Sequence, residues 1–229
     1  MIFSRLHNFY LPPAYVLTLA ETPERERVAL AHLNTDLGFS ARPFHGFHGS
    51  RMGLSSIKGT MTQGMIGCQL GHMALWKTLM VSSEDAFLIF EDDVLLPDNA
   101  RSTMFKAYAL ALPRDWNVVY WGYCWCNLGN RQPVNRSFDR VSWPPMCHHA
   151  YMVKKTAVAQ VLPKLNCDAP MDVQTQPLFN ELGGVYVYSD PMFARQRSLV
   201  YVSPGALNAP VGAVDEGLFR SQTCERKSS

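Results

Sequence analysis

Ala86-Phe-Leu-Ile-Phe-Glu-Asp-Asp-Val94 is the stretch that decides the fold. Its first five residues are apolar without interruption, which is typical of a central strand in a sheet that helices cover on both faces. Three carboxylates, Glu91, Asp92 and Asp93, follow directly. Because open α/β sheets bind ligands at the carboxyl ends of their strands, the stretch predicts a buried strand that ends in a candidate binding site.

The segments on either side of this stretch alternate between strand and helix patterns. Strands are predicted at 14–19, 39–47, 86–90, 117–121, 150–153 and 185–188, and helices at 23–36, 65–80, 99–112, 156–165 and 171–182. This order is typical of an α/β fold with a doubly wound, Rossmann-like sheet flanked by helices. Residues 124–145 lack periodicity and are predicted to form a long loop. We find no linker, and we predict a single domain over residues 1–203 with a partly flexible tail at 204–229.

Composition and charge exclude several classes of protein. Of 229 residues, 47% are hydrophobic and 17% are charged, which excludes a disordered chain and a coiled coil. The net charge of +2 provides no basic surface for nucleic acid as the main partner. Six scattered cysteines and the lack of a long apolar run predict a cytoplasmic protein with reduced thiols and no transmembrane segment. A peripheral membrane contact stays open.

The acidic triplet predicts a metal site. Adjacent carboxylates repel one another unless a cation is bound, and oxygen ligands favour Mg²⁺ or Mn²⁺. Strand alternation would place Glu91 and Asp93 on one side and Asp92 on the other. The alternative is a solvated acidic turn. Since no glycine-rich phosphate motif is present, a cation would neutralise any phosphorylated ligand, as suits a nucleotide-diphosphate sugar.

Several motifs in order along about residues 15–195 resemble one known family. Gly64-Met-Ile-Gly-Cys-Gln-Leu-Gly-His72 is similar to the first part of G-E-I-G-C-x-x-S-H-x-x-L-W, and Leu88-Ile-Phe-Glu-Asp-Asp-Val94 is similar to L-I-x-E-D-D-V. Further similar pieces are Tyr15–Leu19 with Pro23-Glu-Arg25, Gly46–Gly49, Leu75-Trp76, Asp115–Gly122, Ala150–Ala157 and Met171-Asp172. Together they resemble glycosyltransferase family 25, which includes lipooligosaccharide and collagen galactosyltransferases. Met65 and Gly71 depart from its usual Glu and Ser.

The resemblance implies a GT-A type fold, a UDP-sugar donor such as UDP-galactose or UDP-glucose, and Mn²⁺. It implies that Asp93 contacts the metal directly and that Glu91 binds the metal or its water. Asp92 would contact the ribose or sugar hydroxyls. Thr18 and Arg25 follow the first strand, where the uridine half of the donor would lie. Alternatively, Arg25 is an ordinary solvated residue in the first turn of its helix.

The resemblance also implies an inverting transfer with one catalytic base. Asp172 matches the family's P-V-D position and is the candidate, because a carboxylate must take the proton of the attacking hydroxyl. Alternatively, Asp172 only complements the dipole of its helix. Asp190 is the second choice of base. His72 lies in a predicted buried helix and is interpreted as a packed core residue.

Histidines and cysteines leave two further metal hypotheses open. Cys124, Cys126, Cys147, His148 and His149 could bind zinc, although their spacing fits no standard zinc motif. His148 or His149 could instead complete the Mn²⁺ site, as implied by the resemblance.

Three functions compete for this sequence. The first is metal-dependent transfer of a hexose, galactose or glucose, from a UDP-sugar to a hydroxyl of a glycan or glycoconjugate. The second is a non-catalytic relative that binds a nucleotide sugar or glycan, which the loss of Glu at Met65 would permit. The third is a metal-dependent phosphohydrolase, for which the sequence lacks the second acidic cluster such enzymes need.

Overall fold

The structure is a computed structural model that describes residues 10–51, 61–123, 131–190 and 193–196. Its strands are β1 (Ala14–Thr18), β2 (Arg42–His45), β3 (Ala86–Glu91), β4 (Val94–Leu95), β5 (Val118–Gly122), β6 (Arg131–Pro133), β7 (Phe138–Val141), β8 (Ala150–Lys154), β9 (Val185–Tyr188) and β10 (Arg195–Gln196). Within the described ranges, eight strands form one mixed sheet in the order β2-β1-β3-β8-β5-β9-β7-β6. β4 and β10 pair separately.

Helices cover both faces of this sheet. They are α1 (Pro23–Leu30), which continues as a π-helical segment (Ala31–Asp36), α2 (Gln63–Val81), α3 (Ala100–Leu110), α4 (Lys155–Val161) and α5 (Met171–Leu182). The apolar residues of α1 and α3 pack on one face, and those of α2, α4 and α5 pack on the other. β3 contributes to both cores, with Leu88 and Phe90 on one face and Phe87 and Ile89 on the other. The predicted mixed α/β sheet flanked by helices is confirmed.

Strand direction brings distant parts of the chain to one edge of the sheet. β1 and β3 are parallel, whereas β8 lies between β3 and β5 and is antiparallel to both. The carboxyl ends of β1 and β3 therefore meet the residues that precede β8. The Glu91 backbone N–H donates to the carbonyl of His149 at 2.9 Å, which fixes this junction.

One sequence prediction differs from the structure, and one is not tested by it. Residues 124–145 are not a loop throughout, because β6 and β7 form an antiparallel pair at the sheet edge. The predicted tail at 204–229 lies outside the described residues. Among the helices that the structure describes, none combines the length and the apolar character needed to cross a bilayer.

Candidate active site

A cavity of about 340 Å³ opens at the carboxyl ends of β1 and β3. Glu91, Asp92 and Asp93 all line it. The predicted separation of these side chains onto opposite sides of the strand is wrong, since β3 ends at Glu91 and the next two residues form a turn that breaks the alternation. The whole triplet therefore faces one cavity, and none of the three is the freely solvated side chain that the alternative required.

Thr18 and Arg25 converge on Asp92. The Thr18 hydroxyl donates to Asp92 Oδ2 at 3.0 Å, and Arg25 Nη2 donates to Asp92 Oδ1. Burial raises the pKa of Asp92, and the nearby Arg25 charge opposes that rise. The structure thus brings together the three residues that were predicted beside the donor. Each carboxylate oxygen of Asp92 has a second lone pair through which it can accept from a ligand hydroxyl.

Asp93 carries excess negative charge in a poorly hydrated position. Its Oδ1 is buried and has no hydrogen-bond partner within the described residues, while its Oδ2 lies 3.9 Å from Arg25 Nη2. Burial, followed by the charges of Glu91 and Asp92, raises the pKa of Asp93 to about 7. A partly buried carboxylate that shares its Arg25 counter-charge with Asp92 is unfavourable, and a cation would reduce the cost. The residues present therefore fit the divalent cation that the sequence implies.

Glu91 is held by side chains from two elements. His72 Nε2 on α2 lies 3.2 Å from Glu91 Oε1, and Gln196 Nε2 on β10 donates to Oε2 at 3.2 Å. Burial alone would raise the pKa of Glu91, but the hydrogen bond from His72 and the nearby imidazoles bring it below its usual value. Glu91 is therefore positioned as a charged carboxylate.

His72 is buried, as predicted, and it also contacts the acidic triplet. Its Nδ1 lies 3.0 Å from the Tyr151 hydroxyl, which accepts a second hydrogen bond from Trp76 Nε1 at 2.9 Å. The interpretation of His72 as a core residue missed its contact with Glu91. The sequence contained one indication of a polar role for His72: Cys68 lies four residues before it, so the two side chains share a face of α2.

A second cavity of about 220 Å³ adjoins the first, and both are lined by Cys68 and Glu91. Asp172, in the first turn of α5, also lines the second cavity. Its Oδ2 accepts from the Cys147 backbone N–H at 3.3 Å, and its Oδ1 accepts from that of Val173 at 2.9 Å. The candidate base and the acidic triplet therefore lie on adjoining cavities. Its place in the first turn also suits the alternative, a favourable interaction with the helix dipole.

Asp190, the second candidate for the base, is exposed and lines neither of these cavities.

The two histidines before β8 are buried and engaged with protein atoms. His149 Nε2 donates to the Ala194 carbonyl at 3.0 Å. His148 lines the second cavity, and burial lowers its pKa to about 3, so its imidazole is neutral. Among the described residues, the cluster with metal-ligand spacing consists of Cys68, His72 and Glu91, so it includes neither His148 nor His149, and neither Asp92 nor Asp93.

The zinc hypothesis fails at Cys147. This cysteine is disulfide-bonded, so its sulfur is not a thiolate ligand, and the expectation of reduced thiols is wrong at this position. Cys124 and Cys126 lie outside the described residues.

The class that fold and site define is an α/β protein with an acidic cleft at the carboxyl edge of its sheet. Within that class, residues 40–125 match the model of "Glycosyltransferase family 25 (LPS biosynthesis protein)". This stretch is thus similar to glycosyltransferase family 25, which confirms the predicted resemblance. The match includes α2 and the acidic triplet but neither Thr18, Arg25 nor Asp172.

The chain is also similar to individual proteins. The chain is 23% identical over 246 residues to "Putative glycosyltransferase" of Haemophilus influenzae, covering 94% of this chain and 79% of that protein. It is 26% identical over 126 residues to "Probable inactive glycosyltransferase 25 family member 3" of Rattus norvegicus, covering 47% of this chain. That match spans only 22% of the rat protein's length. Among solved structures, the inositol-1-phosphate CTP transferase from T. maritima is similar with a TM-score of 0.42 and 12% identity, over 76% of this chain and 64% of that one.

Proposed function

We propose that this protein is an inverting, metal-dependent glycosyltransferase that moves a hexose, galactose or glucose, from a UDP-sugar to a hydroxyl of a glycan or glycoconjugate. The observation that carries the proposal is the pairing of two adjoining cavities. One holds Asp93 with its unpartnered buried oxygen, and the other holds Asp172. A donor in the first cavity and an acceptor in the second would meet beside Glu91, which lines both.

In this proposal the acidic triplet holds the cation. Asp93 would bind it directly, and Glu91 would bind it or its water. When bound, Mn²⁺ or Mg²⁺ supplies positive charge that neutralises the diphosphate and stabilises it as a leaving group.

The protein's own groups position the reactants. Thr18 and Arg25 hold the Asp92 carboxylate in one orientation, so that it can accept hydrogen bonds from the ribose or sugar hydroxyls. Asp172 takes the proton from the acceptor hydroxyl as that oxygen attacks the anomeric carbon. The bond from that carbon to the diphosphate breaks at the same time, so one displacement inverts the configuration.

The test is release of UDP from a panel of UDP-sugars, with Mn²⁺ or with EDTA, and with glycan acceptors added. We expect Mn²⁺-dependent release from UDP-galactose or UDP-glucose that increases with a suitable acceptor. Asp190→Asn is a matched control, because this aspartate lines neither cavity and its substitution should leave release unchanged. Release that persists in EDTA would contradict the metal dependence.

A second candidate is a protein that binds a nucleotide sugar or glycan without transferring it. It is favoured by the name of the rat relative, which includes the word inactive, and by Met65 where the family usually has Glu. UDP binding measured by calorimetry, together with the absence of turnover for every donor and acceptor pair, would identify this function instead.

A further inference from the structure

Three potential metal ligands of different chemistry meet at the boundary between the two cavities. One ligand atom each from Cys68, His72 and Glu91 lies within 4.8 Å of the other two. Cys68 and His72 are one turn apart on α2, and Glu91 reaches them from the end of β3. Cys68 Sγ is 3.9 Å from Glu91 Oε1, and His72 Nε2 is 3.2 Å from the same oxygen.

His72 is oriented as metal-binding histidines usually are. Its Nε2 faces the cluster, while its Nδ1 is 3.0 Å from the Tyr151 hydroxyl. Metal-ligating histidines typically use their second ring nitrogen in a hydrogen bond that fixes ring orientation and tautomer. Trp76 Nε1 in turn donates to the same hydroxyl, so a buried network holds the imidazole ring in position.

The mixture of ligands selects a particular kind of cation. Thiolate, imidazole and carboxylate together are typical of Zn²⁺ and similar borderline metals, whereas Mg²⁺ and Mn²⁺ prefer oxygen ligands. All three side chains line the second cavity, which leaves space beside them for a water or ligand as a fourth partner.

We propose that Cys68, His72 and Glu91 form a binding site for Zn²⁺ or a similar borderline divalent metal, which shares Glu91 with the proposed hard-cation position at Asp93 and takes its other ligands from α2. Binding is measured directly, so the proposal does not depend on whether the protein transfers sugars.

Cobalt provides a direct test, because Co²⁺ replaces Zn²⁺ and its bond to a thiolate gives an intense near-ultraviolet charge-transfer band. The full chain, first freed of metal with a chelator, is titrated with Co²⁺. We expect a thiolate band that saturates at one equivalent and is displaced by Zn²⁺. The band should be lost in Cys68→Ser and retained in Cys167→Ser, since Cys167 is the matched free and exposed cysteine.

Alkylation provides a second readout that does not rely on a variant. Iodoacetamide labelling, mapped to each peptide by mass spectrometry, should be slower at Cys68 when Zn²⁺ is present and unchanged at Cys167. The proposal is overturned if no thiolate band forms, if the band survives in Cys68→Ser, or if Zn²⁺ leaves the labelling of Cys68 unchanged. Because Cys68 is exposed, its replacement by Ser should preserve the far-ultraviolet circular dichroism spectrum.

Discussion

At the scale of single residues, Asp93 has properties that favour ligand binding over stability. Its Oδ1 is buried and has no hydrogen-bond partner in the part of the chain that the structure describes, and its pKa is raised to about 7 by burial and by the two preceding carboxylates. Because the folded protein binds this proton more tightly than the unfolded chain, the Asp93 contribution makes stability fall as pH rises from about 4 to about 7. Above pH 7, Asp93 is ionised and the folded state is destabilised by the full amount.

Asp93→Asn should therefore stabilise the metal-free protein while abolishing transfer. In EDTA at pH 8, we expect the free energy of unfolding to rise by roughly 2–4 kcal/mol, and by less at pH 5. Urea denaturation at the two pH values measures the difference. A variant that is less stable than the wild type at pH 8 would contradict this account.

Asp115 is a control, because its pKa is shifted in the opposite direction to that of Asp93. Although partial burial raises its pKa, the hydrogen bond from Tyr186 and the charge of Arg140 bring it below the usual value. Asp115→Asn should lower stability at neutral pH by about 1 kcal/mol, since the ion pair is exposed to solvent. That loss should diminish in acid, as the wild-type carboxylate takes up a proton.

Asp172→Asn distinguishes a catalytic carboxylate from one that only complements a helix dipole. The amide can still accept a hydrogen bond but cannot take a proton, so transfer should fall by a factor of about 10²–10⁴. Nucleotide binding by calorimetry and the unfolding midpoint should change little. Near-normal turnover would remove Asp172 from the mechanism, and a large loss of stability alone would favour the structural role.

At the scale of elements, α2 lies against the segment after β2 with backbone contacts that leave no space for a side chain. A Cβ atom at Gly67 would lie 2.4 Å from the Phe47 carbonyl oxygen and 2.9 Å from Gly49 N. Both Gly67 and Gly49 line the first cavity. The close approach of helix and segment therefore forms one wall of the proposed donor site.

Gly67→Ala should push α2 away from the segment after β2 and thereby weaken nucleotide binding. We expect a loss of roughly 1–3 kcal/mol in stability, typical of overpacking, together with weaker UDP binding by calorimetry. Gly64→Ala is the matched control on the same helix and the same cavity, since among the described residues its Cβ would meet only the Thr62 hydroxyl at 3.9 Å. Because Ala favours helix over Gly, this control should be neutral or slightly stabilising. Equal effects of the two substitutions would contradict the packing argument.

Elements with strong apolar patterns could be predicted from the sequence, and weakly patterned ones could not. The run from Ala86 to Phe90 and the helix α5 were predicted within one residue of their observed bounds. β6 was missed because its sequence, Arg131-Gln-Pro133, is polar and partly exposed at the sheet edge. The hydrophobic pattern also does not indicate strand direction. The contact between Glu91 and the residues before β8 depends on that direction, so it could not be predicted.

At the scale of the whole molecule, two cores are joined by one central sheet. Leu88 lies in the core beneath α1 and α3, while its neighbour Ile89 lies in the core beneath α2, α4 and α5. Since adjacent residues of one strand serve both cores, loss of packing on either face should weaken the same sheet.

Leu88→Ala and Ile89→Ala should each lower the free energy of unfolding by about 2–5 kcal/mol within a single transition. Urea denaturation followed by tryptophan fluorescence and by far-ultraviolet circular dichroism measures both effects. Two separate transitions, or a change in only one probe, would show that the cores unfold independently.

The mixed strand order has a consequence for the timing of folding. The residues that meet at the acidic cleft are far apart in the chain. Thr18 and Asp92 are separated by 74 positions in sequence, and His72 and Tyr151 by 79. Such non-local contacts form slowly, because a long loop must close before they contribute. During synthesis, the cleft is incomplete until β8 has entered between β3 and β5. Ligands of this cleft should therefore bind after the sheet has assembled, and they should stabilise the finished fold without accelerating its formation.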